Sequence, residues 1–438
     1  MKPTFTLFIL FSVLFTSCKK EKEAVEPEKE PPVQTSFSDK IILNEAVVQG
    51  DTIKLSWTKL NNNYFRKYTL LRKDFDGAGF HVIKENILSM ETTESIDVNI
   101  PYSPNVTYQI RGDLSNGTVI SSNTISYKRP EVQPLNINPF DVIYRAEDQL
   151  LYLFERSGQI SIYDLKTNQL AKQIQTGSTI GFSDFEVYQG KNELYVPRKD
   201  GWVFVYDALT LEKVDQISIG LESSCLVSNN NYLFVSTSAW THQPLKVYRR
   251  GDHQLITETG DFDLTRFKKI PNSNTKLLEI TINIGPTDQH YYQFTDSAKI
   301  DSHFTDRYHG DYPLNASILE FFPDTKKYIT SSSGAIYNID MSYDKSLPRG
   351  NLEFTSFSFN QQGDQIFGST TTKSIEVYST QSYEHVKTIG TKAYPFKIFV
   401  TKDNIISVSV VSKTGTGYYD FPGQFDQANQ VIIEKFEH

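Results

Sequence analysis

A chain of 438 residues is too long for one ordinary domain and long enough for two sizeable cores. Its 44 basic and 52 acidic residues leave it mildly acidic, which excludes nucleic acid as the default partner, because phosphate binding needs a basic face. Only two cysteines occur, Cys18 and Cys225, so no disulfide framework is expected, and 25 Tyr and 29 Phe against 3 Met suit half-buried strands better than helices.

At the N-terminus Lys2 precedes an apolar run from Leu7 to Phe15, followed by the small residues Thr16 and Ser17 and then Cys18. This is the layout of a secretory signal, and the run is shorter than the roughly 20 residues needed to cross a bilayer. Residues 1–18 resemble the lipobox of bacterial lipoproteins, with Phe15 where that family usually has Leu. The resemblance implies that Cys18 is acylated and becomes the mature N-terminus; a plain secretory signal cut nearby is the alternative. It also implies a cell-envelope location, as an outer-membrane lipoprotein facing the periplasm or the exterior, with the membrane as a partner through its lipid.

Residues 19–36, KKEKEAVEPEKEPPVQTS, hold too little apolar surface to fold and are expected to form a disordered charged stalk. Extended at about 3.1 Å per residue, such a stalk reaches on the order of 55 Å. Its charge also resembles the surface-export signals of some Gram-negative lipoproteins.

Between residues 37 and 130, short alternating runs such as Ile53 to Trp57, Tyr68 to Leu71 and Val106 to Ile110 are separated by turn-rich stretches. About seven strands in this length predict a β-sandwich. Trp57 ending an early strand, the Tyr-x-Leu strand at Tyr68 and Tyr108 in a late strand resemble the core marks of a fibronectin type III domain, an Ig-like fold. The stretch Asp74 to Gly79 lacks the third acidic position and the terminal Glu of a calcium loop, and is not assigned a metal.

From 131 to 438 one strand recurs, apolar residues leading into Tyr and often Asp: Tyr163, Tyr206, Tyr248, Tyr292, Tyr337, Tyr378 and Tyr419 are spaced by 43, 42, 44, 45, 41 and 41 residues. A period of about 40 to 45 residues predicts four-stranded propeller blades. Seven units predict a seven-bladed β-propeller, so the fold class expected for the whole chain is all-β. The unit from Leu194 through Tyr206-Asp207 to Gly220 resembles the YVTN and WD40-like repeats of bacterial secreted propellers, with Tyr-Asp in place of the WD dipeptide. That resemblance bears on fold and not on activity.

The chain carries no complete sialidase box, His-Glu-x-x-His helix or Gly-x-Ser-x-Gly elbow, and Trp202 and Trp240 are the only tryptophans of the repeat region. No cofactor, metal or catalytic set is therefore assigned, and oligomeric state is not readable. Function is expected on the face formed by the loops joining second to third strands and each blade to the next. There Trp240, His242, His290, Arg307, Tyr308, His309, Asp311 and Tyr312 are expected to gather, extended by Trp202 and Arg198. Aromatic rings beside Asp, Arg and His suit a glycan or a protein ligand.

These residues also read as ordinary solvated loop side chains. Metal ligation by His303, His309 and Asp311 is a lesser reading. Cys225 is expected to be a core thiol. The leading functional expectation is a non-catalytic binding module for a protein or glycan; the alternative is a lyase or hydrolase acting on polysaccharide or peptide through His242, His309 and Asp311.

Overall fold

A computed structural model describes residues 39–50, 52–282, 284–413 and 429–437. Cys18, the stalk and Tyr419 lie outside them. The described residues form an all-β protein without a helix, and no helix among them is long and apolar enough to cross a membrane.

Residues 39–128 build two antiparallel sheets. One holds three strands, with Thr52–Ser56 in the middle; the other holds five, with Phe65–Lys73 and Asn105–Leu114 at its centre. In Asn105–Leu114 every second residue is buried, the period-2 pattern of a sheet with one face inward. Both sheets close on one core that includes Ile53, Leu55, Trp57, Tyr68, Tyr108 and Ile110. Trp57 meets the Tyr68 ring edge-on at 5.6 Å.

Six four-stranded antiparallel sheets follow, each with its strands hydrogen-bonded in chain order, and then a three-stranded one, Tyr394–Val400, Asn404–Val410 and Val431–Glu437. This array fits a β-propeller. The last sheet returns to the first: Leu135, just before the first sheet, exchanges two backbone hydrogen bonds with Val431 at 2.8 and 2.9 Å. Tyr394, Phe396 and Val408 of the seventh sheet also share a core with Val142, Leu151 and Tyr163 of the first.

Near the first strands, charges of both signs meet. Arg266 of the fourth sheet reaches both oxygens of Asp141 in the first at 3.3 Å, lies over the Phe182 ring, and donates to the carbonyl oxygen of Ala316. Lys397 of the seventh sheet is pushed down to about 8, by burial first and then by the neighbouring cations Lys268 and Arg266, against the pull of Asp141 and Glu320.

The repeated tyrosines among the described residues lie on third strands, and a β-bulge immediately precedes Tyr163, Tyr206, Tyr248, Tyr337 and Tyr378. In the fourth sheet the bulge falls between Gln293 and Phe294. Tyr292 nevertheless keeps the repeated position, pairing with Leu277 of the second strand as Tyr163 pairs with Leu151, and only the bulge falls two residues later.

The two-sheet body touches the array. Phe75 packs with Val132, Ala393, Val411 and Ile432, Ser412 donates to Asp74 at 2.8 Å, and Lys373 bonds the carbonyl oxygen of Ile100.

Candidate functional site

The loops expected to share a face are stitched to one another. The Ser238 amide, at the start of the third sheet's second-to-third-strand loop, donates to the Glu222 carbonyl of the preceding connection at 2.7 Å. Leu264, in the connection to the fourth sheet, bonds Thr237 at 2.7 Å and receives the Ile282 amide at 3.0 Å. Trp240 stands at the tip of the third sheet's loop with 86% of its surface exposed, and His242 beside it is exposed. Trp202 is half-buried at the start of a third strand, and Arg198 is occupied by Asp200 at 3.0 Å and by the Phe204 ring at 3.7 Å.

The connection into the fifth sheet does not present its aromatic residues as a platform. Tyr312 stacks on Tyr343 at 3.8 Å with an interplanar angle of 11°, Tyr308 abuts Tyr312 edge-on at 4.9 Å, and the Tyr308 hydroxyl accepts the Tyr343 amide at 3.1 Å. Arg307 donates to the Asp340 carbonyl at 3.0 Å, in the turn between the fifth sheet's third and fourth strands. Here the expected platform is corrected: the segment lies along the fifth sheet, and its rings fill a wedge against that sheet's core.

His309 and Asp311 are exposed; His309 Nδ1 faces Asp288 at 3.8 Å. Neither joins His303, and no hydrogen bond or ion pair connects His242, His309 and Asp311 among the described residues. The segment's backbone needs glycine at Gly310, where φ is +94° and a Cβ would lie 2.4 Å from that of Pro286.

His290 is instead brought to His303. Within the fourth sheet Glu279 pairs with His290, Tyr292 with His303, and His290 with Thr305, so the four side chains share one sheet face. His290 is buried, and its Nδ1 lies 2.8 Å from His303 Nε2. The His303 ring lies flat on Tyr292, with centroids 4.4 Å apart and planes 4° apart, while Phe262 meets His290 edge-on at 5.2 Å.

Asp261, in the connection from the third sheet, places Oδ2 3.8 Å from His290 Nδ1 and 3.9 Å from His303 Nε2. Glu279 is fully buried. One of its oxygens accepts the Tyr292 hydroxyl at 2.8 Å and lies 4.0 Å from His290 Nδ1; the other, Oε1, has no hydrogen-bond partner.

Burial governs the protonation of this cluster. It raises Glu279 to about 7, against the opposing effect of the Thr265 and Tyr292 hydroxyls. Burial, followed by the charge of His303, lowers His290 to about 4, and burial also lowers His303 despite Asp261. Burial thus disfavours the charged form of both imidazoles, and the two facing nitrogens share a proton at 2.8 Å. Glu279 is brought to His290 by strand register and Asp261 by the path of a connection, neither of which a sequence motif encodes.

Cys225 is a buried thiol that accepts the Phe267 amide at 3.3 Å, and burial pushes it up to about 12, the environment of an inert core cysteine.

No protein-family profile matches the chain, and no curated protein does. Solved structures do. One is hydrazine synthase of Kuenenia stuttgartiensis, at 13% identity and a TM-score of 0.49, with 69% of this chain and 96% of that chain covered.

Proposed function

We propose that the protein is a cell-envelope lipoprotein whose propeller binds a protein or glycan partner without catalysing a reaction. In this reading Cys18 carries the lipid and residues 19–36 form the stalk. Residues 37–130 form a fibronectin type III-like spacer, and residues 131–438 a seven-bladed propeller of the YVTN or WD40-like kind. The two-sheet core around Trp57, Tyr68 and Tyr108 supports the spacer; the seven consecutive sheets and their return to Leu135 support the propeller.

The observation that carries the binding reading is Trp240, an indole with 86% of its surface exposed at the tip of a loop otherwise tied down to its neighbours. Exposed aromatic anchors on a rigid base are the usual material of recognition sites, because little entropy is lost when they are covered.

The test is a binding screen of the full-length chain in detergent against glycan arrays and envelope extracts, alongside Trp240→Ala and His242→Ala. Tyr308→Ala is a poor probe, because that ring packs against its own fold. The expected result is a specific ligand whose affinity falls at least tenfold in Trp240→Ala. Ligand binding that is unchanged in both variants rejects this face. Turnover of a captured polysaccharide or peptide, abolished by alanine at His242, His309 or Asp311 with affinity retained, would establish the enzyme alternative instead.

A further inference from the structure

We propose that Asp261, His290 and His303 form a binding site for a divalent first-row transition metal ion, zinc foremost, at the upper edge of the interface between the third and fourth sheets. This goes beyond the binding face around Trp240 and does not depend on it.

The argument is geometric. The donor atoms His290 Nδ1, His303 Nε2 and Asp261 Oδ2 form a triangle with sides of 2.8, 3.8 and 3.9 Å. A circle through its corners has a radius of about 2.1 Å, the usual length of a Zn–N or Zn–O bond. A single ion at its centre lies within bonding distance of all three atoms and would displace the proton that His290 Nδ1 and His303 Nε2 share at 2.8 Å.

Two imidazoles and a carboxylate suit zinc and its neighbours in the first row, whereas calcium and magnesium seek oxygen alone.

Glu279 places a second carboxylate beside the three donors. It has a buried carboxylate with one oxygen unpartnered and the other 4.0 Å from the ligating nitrogen of His290. Asp261 supplies the carboxylate of the donor set, and Glu279 stands behind His290 as a second acidic group.

The surroundings hold the donors in place. Tyr292 fixes Glu279 through its hydroxyl and His303 through its ring, Phe262 backs His290, and three of the four groups stand on paired strands rather than on loops. Tyr292 is the repeated tyrosine of this sheet, and the bulge that elsewhere precedes it falls after it here.

The experiment is titration of the chelator-treated full-length chain with Co²⁺, read by visible absorption, and with Zn²⁺, read by calorimetry. The expected result is one ion per chain, with affinity lowered at least tenfold in Asp261→Asn and in His303→Gln. His309→Ala and His242→Ala should bind as wild type. Asp261 is exposed, so Asp261→Asn tests coordination without disturbing the core, and circular dichroism confirms folding of each variant. Failure of the wild type to bind either ion stoichiometrically would overturn the proposal, as would wild-type affinity in both Asp261→Asn and His303→Gln.

Discussion

Two buried polar clusters, one in each part of the molecule, are built from similar residue types and left in different states. In the two-sheet body Arg72 donates to Asp74 at 2.6 Å and, through another nitrogen, to Asp97 and the Asn99 carbonyl at 2.8 Å, while Tyr108 donates to Asp97 at 2.9 Å. Each charge there has a protein partner. In the fourth sheet of the array, two imidazole nitrogens and two carboxylates converge on a common space and Glu279 keeps an unpartnered oxygen. A closed network holds a fold together, whereas an open one converging on a point is arranged for something that is not protein.

The sharpest way to break this contrast is to open the closed cluster. Asp97→Ala leaves the Arg72 guanidinium buried beside one carboxylate, and a loss of about 3–5 kcal/mol is expected by chemical denaturation. A loss under about 1 kcal/mol would show that Arg72 is hydrated or re-partnered and that the cluster is not closed.

The converging cluster should respond to an ion rather than to truncation alone. With zinc at about a hundredfold its dissociation constant, the wild type is expected to gain about 2.7 kcal/mol and His303→Ala almost nothing. Equal thermal shifts in the two proteins would mean that zinc acts elsewhere.

Much of this was legible in the sequence, for physical reasons that stop at a definable point. The tyrosine period was visible because each described third strand pairs its ring with the same point of the second strand, a local constraint repeated unit by unit. The exposed loop of Trp240 was visible as a long, polar insertion between strands. The platform of Tyr308 and Tyr312 was misjudged because sequence does not show that Tyr343, more than 30 positions on, takes up the face of Tyr312. The metal cluster was missed because Glu279, His290 and His303, separated by 11 and 13 positions, match no spacing motif. They meet through cross-strand register.

A third kind of buried charge lies between the two extremes. Lys397 is surrounded by Asp141, Glu320, Lys268 and Arg266, and burial holds its amine at about 8, below the usual lysine value of 10.5. The unfolded chain therefore binds more protons, and this residue's contribution to stability rises as pH increases from about 8 to 10.5. Lys397→Met is expected to be more stable than wild type at pH 7 by about 1–3 kcal/mol, with the advantage shrinking toward pH 10. Denaturation midpoints at the two pH values would check it; an advantage that grows with pH reverses the sign and rejects the assignment.

The smallest effect on stability belongs to the residue with the largest expected effect on recognition. Trp240→Ala is expected to shift stability by no more than about 0.5 kcal/mol, since the ring touches little of its own fold. A larger loss in thermal unfolding would mean that the indole packs against the protein and is not a free anchor.

The central claim, that the open cluster is arranged around an ion, is tested most directly by elemental analysis of the full-length protein after zinc loading and gel filtration, wild type against Asp261→Asn. About one zinc per chain in the wild type and close to none in the variant is the expected result. Equal zinc contents, or none in either, would contradict it.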